Sequence, residues 1–114
     1  GAIPGIDVSF DHIGETHFND QLTLLKYGGT LVQCGATTGY DAKTDLRHVF
    51  FKGTNILGST QGTKAEVEQG FYWMSQGKIK ATIDSVYPFE KAAEAHTKML
   101  TGKGLFGKIL LKPE

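Results

Sequence analysis

Two glycine-spaced turns hold the residues best placed for chemistry. Gly35-Ala36-Thr37-Thr38-Gly39 follows the apolar run Thr30-Leu31-Val32-Gln33-Cys34, and Ser59-Thr60-Gln61-Gly62 follows Thr54-Asn55-Ile56-Leu57-Gly58. Small residues just past a strand let a flat ring approach the backbone, and the carboxyl edge of a parallel α/β sheet is where ligands bind. Asp11 and His12 close the run Ile6-Asp7-Val8-Ser9-Phe10 and have the residue types of an acid–base pair. A polar turn closing the strand is the simpler reading. His17, His48 and His96 are scattered, and a metal site needs three or four converging ligands, so no metal site is expected. Cys34 is the single cysteine, which excludes an intrachain disulfide. In a buried strand it reads as a small hydrophobe rather than a nucleophile. His96 reads as a partly buried packing residue and Lys108 as a solvated strand lysine. The aromatic run Phe71-Tyr72-Trp73-Met74 reads as core on one face and interface on the other.

The elements that must position these turns alternate along the chain. Residues 6–10 alternate apolar and polar and read as a strand. Residues 16–27 read as a helix whose stripe is Phe18, Leu22 and Leu25, with Gly28-Gly29 as its stop. Residues 30–34 form a strand with two largely uncharged faces, as in a sheet covered on both sides. A short helical turn falls near residues 46–50 and a third strand at 54–58. Thr63-Lys64-Ala65-Glu66 fits a capping box, opening a helix to about Gln76. A strand at 83–87 broken by Pro88, a helix at about 90–100 and a last strand at 105–112 complete the chain. The order is β-α-β-turn-β-α-β-α-β, the rhythm of parallel βαβ units.

The bulk numbers narrow the class. The chain has 114 residues, 39% of them hydrophobic and 21% charged, as expected of one small globular domain. Twelve basic and twelve acidic residues balance, which argues against a nucleic-acid or anionic-membrane partner. No apolar run is long enough to span a bilayer. Gly1-Ala2-Ile3-Pro4-Gly5 has neither a basic start nor a long apolar core, so no secretory leader is expected there, and a cytoplasmic setting fits.

Six segments in order resemble the medium-chain dehydrogenase/reductase superfamily, and more closely its quinone-oxidoreductase-like and zinc-type alcohol dehydrogenase members. They are Asp7–Gly14, Leu24–Val32 with Cys34–Gly39, Phe50–Gly53, Ile56–Ser59, Val86–His96 and Phe106–Leu111. The resemblance covers essentially the whole chain but only about the last third of such an enzyme. It implies an α/β fold: a partial Rossmann-like parallel sheet, equivalent to strands 4, 5 and 6 of the dinucleotide-binding domain, plus a carboxyl-terminal strand-helix-strand return. Residues 1–82 would be the second half of that domain and 83–114 the return. No G-x-G-x-x-G loop between strand and helix is present, nor the acidic residue that would follow it.

The resemblance also implies chemistry. In this family, backbone groups after the fifth strand and around the sixth hold the nicotinamide end of NAD(P). Carried over, that implicates Gly35, Ala36 and Thr37, and then Ser59 and Thr60. The metal ligands and catalytic domain of the family have no counterpart in these residues, so zinc is not expected and no catalytic residue is assigned. Two functional readings stay open. One is a part of an NAD(P)-dependent medium-chain oxidoreductase, not competent for catalysis alone. The other is a free-standing truncated α/β module acting in assembly or weak nucleotide binding. Phe50 and Phe51 precede the strand through which family members pair two sheets edge to edge, so a homo-oligomer through sheet edges is expected. Alternatively, the last strand, 105–112, folds back over the edge of the first.

Overall fold

The computed structural model describes residues 5–114. The expectation of no secretory leader falls largely on Gly1–Pro4, outside the described residues. The described residues gather into two compact units, divided after Gln61.

The first unit contains β1 (Ile6–Asp11), α1 (Phe18–Leu24), β2 (Leu25–Gln33), α2 (Arg47–Phe50) and β3 (Asn55–Gly58). Its sheet is parallel throughout, in the order β1-β2-β3. Ser9 pairs with Leu31 and Leu31 with Ile56, while Asp11 pairs with Gln33 and Gln33 with Gly58. The ends of all three strands therefore lie in one row. One face is covered by α1, where Leu22, Leu25 and Leu31 form the buried core and Phe18 and Val49 pack against it. Within this unit the other face, with Val8, Phe10 and Leu57, stands exposed. Within this unit one of the two faces is covered.

The double glycine is not a helix stop. α1 ends at Leu24 and β2 begins at Leu25, so Gly28 and Gly29 lie inside the strand. There the ladder slips: Ile6 pairs with Leu25 but Val8 with Thr30, leaving the intervening β2 residues as a bulge. Gly28 takes a φ of +73°, where other residues are strained. A Cβ on Gly29 would fall 2.9 Å from the Lys26 carbonyl oxygen. Lys52 ends the helix instead. Its ammonium donates to the carbonyl oxygens of Leu22 (3.3 Å), Thr23 (2.7 Å) and Leu25 (2.9 Å), while its own carbonyl accepts from Gly28 N–H at 2.7 Å. A cation there meets both the unpaired carbonyls and the negative end of the helix dipole.

The second unit contains α3 (Lys64–Ser75), β4 (Ile83–Pro88), a 3₁₀ turn (Phe89–Lys91), α4 (Ala92–Thr101) and β5 (Lys108–Lys112). β4 and β5 pair in parallel as a separate sheet. The capping box forms as expected: Glu66 N–H donates to Thr63 Oγ1 at 3.2 Å and Thr63 N–H to Glu66 Oε2 at 2.6 Å. α3 buries none of its residues, and Phe71, Tyr72, Trp73 and Met74 are all exposed. The reading of one aromatic face as core is therefore corrected, since it is α4 that packs on the β4–β5 sheet. Ala95 is the buried residue of α4, and His96, expected to be partly buried, is exposed beside a groove lined by Ala95, Met99, Ile109 and Leu111.

Asp84 ties this unit together. Its carboxylate pairs with Lys98 on α4, accepts from Ser85 Oγ at 2.8 Å, and accepts from Phe106 N–H at 3.0 Å ahead of β5. The Lys98 ammonium, then the Phe106 N–H and the Ser85 hydroxyl, hold its pKa down to about 2. No helix among the described residues is long and apolar enough to cross a membrane.

Candidate functional site at the carboxyl edge of the parallel sheet

The row Asp11–Gln33–Gly58 brings three turns to one edge of the first unit: 12–14 after β1, 34–39 after β2, and 59–61 after β3. Gly35, Ala36, Thr37, Ser59 and Thr60 all lie along this edge. Gly35 is half-buried and the other four are exposed.

The first two turns are stitched face to face. Cys34 N–H donates to Asp11 O (2.9 Å), Thr37 N–H to His12 O (3.1 Å), Thr38 N–H to Ile13 O (2.8 Å) and Glu15 N–H to Gly39 O (3.1 Å). The Thr37 and Thr38 hydroxyls reinforce this by donating to the same His12 and Ile13 carbonyls at 2.8 and 2.7 Å. Gly14 is the point of closest approach. Its φ is +87°, and a Cβ there would fall 2.7 Å from Gly39 O and 2.8 Å from the Ala36 Cα.

This stitching sorts the expected site residues. Thr37 spends both its N–H and its hydroxyl on His12, so it is a structural strut of the turn. Gly35 and Ala36 differ: neither N–H donates a hydrogen bond among the described residues. They leave two adjacent backbone donors at the sheet edge. Ser59 N–H is used by Gln33 O at 2.9 Å, whereas the Ser59 and Thr60 hydroxyls make no hydrogen bond among the described residues. The free donors suit a neutral, flat, acceptor-bearing group such as a carboxamide on a ring. They are not a phosphate cradle, which needs several N–H groups converging at a helix N-terminus.

Beneath the stitched turns lies a polar cluster that sequence reasoning did not find. Asp11 is 1% exposed and its carboxylate accepts from Ile13 N–H (3.1 Å), Gly14 N–H (3.0 Å), Gln21 Nε2 (3.0 Å) and Gln33 Nε2 (2.8 Å). Burial alone would raise its pKa. The Gly14 N–H, the Gln33 amide, the Ile13 N–H and neighbouring His12 outweigh burial and hold the pKa below the ordinary value. With its acceptors taken from four directions, Asp11 is not half of an acid–base pair; the polar-turn reading holds. The sequence signal was available in Gln33, a polar residue ending an otherwise apolar strand.

Cys34 corrects another expectation. It lies one residue past β2 and is exposed, with its thiol 3.4 Å from the Asp11 carbonyl oxygen, rather than packed as a core hydrophobe. No group of three or more His, Cys, Asp or Glu side chains among the described residues could hold a metal ion. The described residues therefore do not fit a zinc site.

Comparison with known proteins places this geometry in a family. A family model described as zinc-binding dehydrogenase matches residues 2–111. The chain belongs to that family of dehydrogenases. Among curated relatives it is 33% identical to the quinone oxidoreductase of Pongo abelii over 113 residues, covering 94% of this chain and 34% of the relative. Among solved structures it is similar to the cobalt- and zinc-bound thermostable alcohol dehydrogenase of Pyrobaculum aerophilum, with 30% identity and a TM-score of 0.84, covering 98% of this chain and 33% of that one. It is also similar to a 2-octenoyl-CoA carboxylase reductase in complex with NADP and 2-octenoyl-CoA, with 28% identity and a TM-score of 0.79, covering 92% of this chain and 24% of that one. The chain thus spans about a quarter to a third of the length of the curated relatives it matches. The parallel α/β architecture is that of the corresponding part of these dehydrogenases.

Proposed function

We propose that this chain supplies the nicotinamide side of a dinucleotide site in an NAD(P)-dependent oxidoreductase of the zinc-binding dehydrogenase family, and that it does not catalyse alone. The observation that carries the proposal is the pair of free N–H groups at Gly35 and Ala36. They lie on a pinned turn, at the sheet edge where α/β folds take their ligands. Bound there, NAD(P) would supply the hydride chemistry. Gly35 and Ala36 would donate to the carboxamide, and the Ser59 and Thr60 hydroxyls would flank it. Thr37 contributes by fixing the turn rather than by touching the ring.

Titration of the isotopically labelled chain with NADH and NADPH tests this. The Gly35 and Ala36 amide resonances should shift selectively, with a micromolar dissociation constant, about −8 kcal/mol. No turnover should appear without the remainder of a dehydrogenase. Shifts absent from both amides at saturating nucleotide would overturn the site.

We also propose self-association through a sheet edge. Among the described residues, β1 and β3 each pair on one side only. An unpaired edge is a template for another strand. Light scattering on a size-exclusion column should show a species larger than one chain at micromolar concentration; a clean monomer would refute it.

A further inference from the structure

The polar cluster beneath the turns forms one directed chain of hydrogen bonds. The Ser9 hydroxyl donates to Gln21 Oε1, and the Gln21 amide donates to Asp11 Oδ1. From the other side the Gln33 amide donates to Asp11 Oδ2 at 2.8 Å and to the Gly35 carbonyl oxygen at 2.5 Å. Gln33 thus spends both amide hydrogens on acceptors, which fixes the amide's orientation, since flipping it would set an oxygen against the carboxylate. Its buried Oε1 has no partner among the described residues.

We infer that Asp11 is a positioning residue: its ionised carboxylate, acting through Gln33, sets the orientation of the Gly35–Ala36 peptide, which aims the Ala36 N–H directly and the adjoining Gly35 N–H through the shared Gly35 residue. The inference rests on the assignment of those groups to the nicotinamide end. The geometry leaves little alternative support for the peptide. The 36–39 half of the turn is held by Thr37 and Thr38 on the His12 and Ile13 carbonyls. Gly35 has only its carbonyl tied down, and it is tied by Gln33. Asp11 also fixes the opposite turn, through Ile13 and Gly14. One buried anion therefore anchors both sides of the lip. A neutral side chain in its place offers fewer acceptors to the same four donors.

Amide hydrogen exchange on the full chain, with Asp11→Asn and Gln33→Met compared with wild type, tests the inference. In Asp11→Asn, exchange at Gly14, Thr37, Thr38 and Gly39 should accelerate at least tenfold. Leu31 and Leu57 in the ladder should change less than threefold. Gln33→Met, which leaves Ile13 and Gly14 on the carboxylate, should move the Gly35 and Ala36 resonances and abolish their response to NADH while keeping Gly14 protected. Uniform acceleration across the sheet in Asp11→Asn would mean a merely structural role and overturn the inference. So would a Gln33→Met variant whose Gly35 and Ala36 resonances match wild type. If NADH shifts neither amide in wild type, the site assignment fails on its own, and the exchange and resonance comparisons still decide whether Asp11 positions the turn.

Discussion

Replacing Lys52 with Met should destabilise the first unit by about 2 kcal/mol, much more than the loss of an ordinary surface lysine. The methionine keeps the apolar stem that a lysine lays along the protein and removes the ammonium. That ammonium meets three carbonyl oxygens at 2.7 to 3.3 Å, two of them belonging to the buried residues Leu22 and Leu25. Hydrogen bonds to a charged group are worth roughly 1.5–3 kcal/mol, and a cation at a helix C-terminus roughly 0.3–1 kcal/mol. Water reaching the exposed Thr23 carbonyl recovers part of this, which leaves about 2 kcal/mol. The comparison is Lys26→Met, which removes a 2.7 Å pair with Asp7 whose side chains are 44% and 80% exposed. Exposed pairs of that kind contribute less than about 1 kcal/mol. Urea unfolding followed at the Leu31 amide reports on this unit. The midpoint should fall clearly for Lys52→Met at unchanged slope, and barely for Lys26→Met. Equal effects of the two substitutions, or a loss under about 0.5 kcal/mol at Lys52, would refute the capping argument.

Three further outcomes follow from named contacts. Gly14→Ala should cost roughly 1–3 kcal/mol by thermal unfolding and more than Gly28→Ala, because both positions have positive φ but only Gly14 has backbone within 3 Å of the added carbon. Thr63→Ala should lower the helicity of α3 by circular dichroism, at a cost of about 1 kcal/mol, since it removes one arm of the capping box. Asp84 has its folded pKa depressed, so its contribution is fully present above its unfolded value near 4 and is lost as pH falls toward about 2. Acid unfolding followed at the Leu110 amide should therefore be shallower in Asp84→Asn than in wild type across that interval.

Where the sequence misled, the cause was a contact distant along the chain. Apolar patterning placed a strand at each of the five, but it set the start of β2 at residue 30 rather than Leu25 and that of β5 at residue 105 rather than Lys108. The end of α1 was different. Phe18, Leu22 and Leu25 continue a helical spacing, and Gly28-Gly29 follows like a stop. Yet Leu25 is the first residue of β2, buried against the same core as Leu22. What terminates the helix is the ammonium of Lys52, 27 residues beyond Leu25. No local pattern reveals a cap delivered from that distance.

The candidate site divides along the same line. The sheet edge that holds it was legible, because glycine-spaced turns after parallel strands mark the carboxyl edge. Which donors along it stay free was not. Thr37 matched the expected position but its donors are consumed by His12, whereas Gly35 and Ala36 keep theirs free. Asp11 and Gln33 are 22 residues apart and meet only because β1 and β2 pair in register. A side-chain type shows what a residue could donate or accept; the register decides what remains to offer a ligand. For this chain the register consumes the threonine hydroxyls in holding the turn and leaves backbone N–H groups exposed. A backbone site of this kind tolerates side-chain change at Ala36 so long as nothing bulky shields the peptide. Ala36→Ser should therefore keep the NADH-induced shift at the Gly35 amide and Ala36→Tyr should lose it, whereas a site built on the Thr37 hydroxyl would respond to neither.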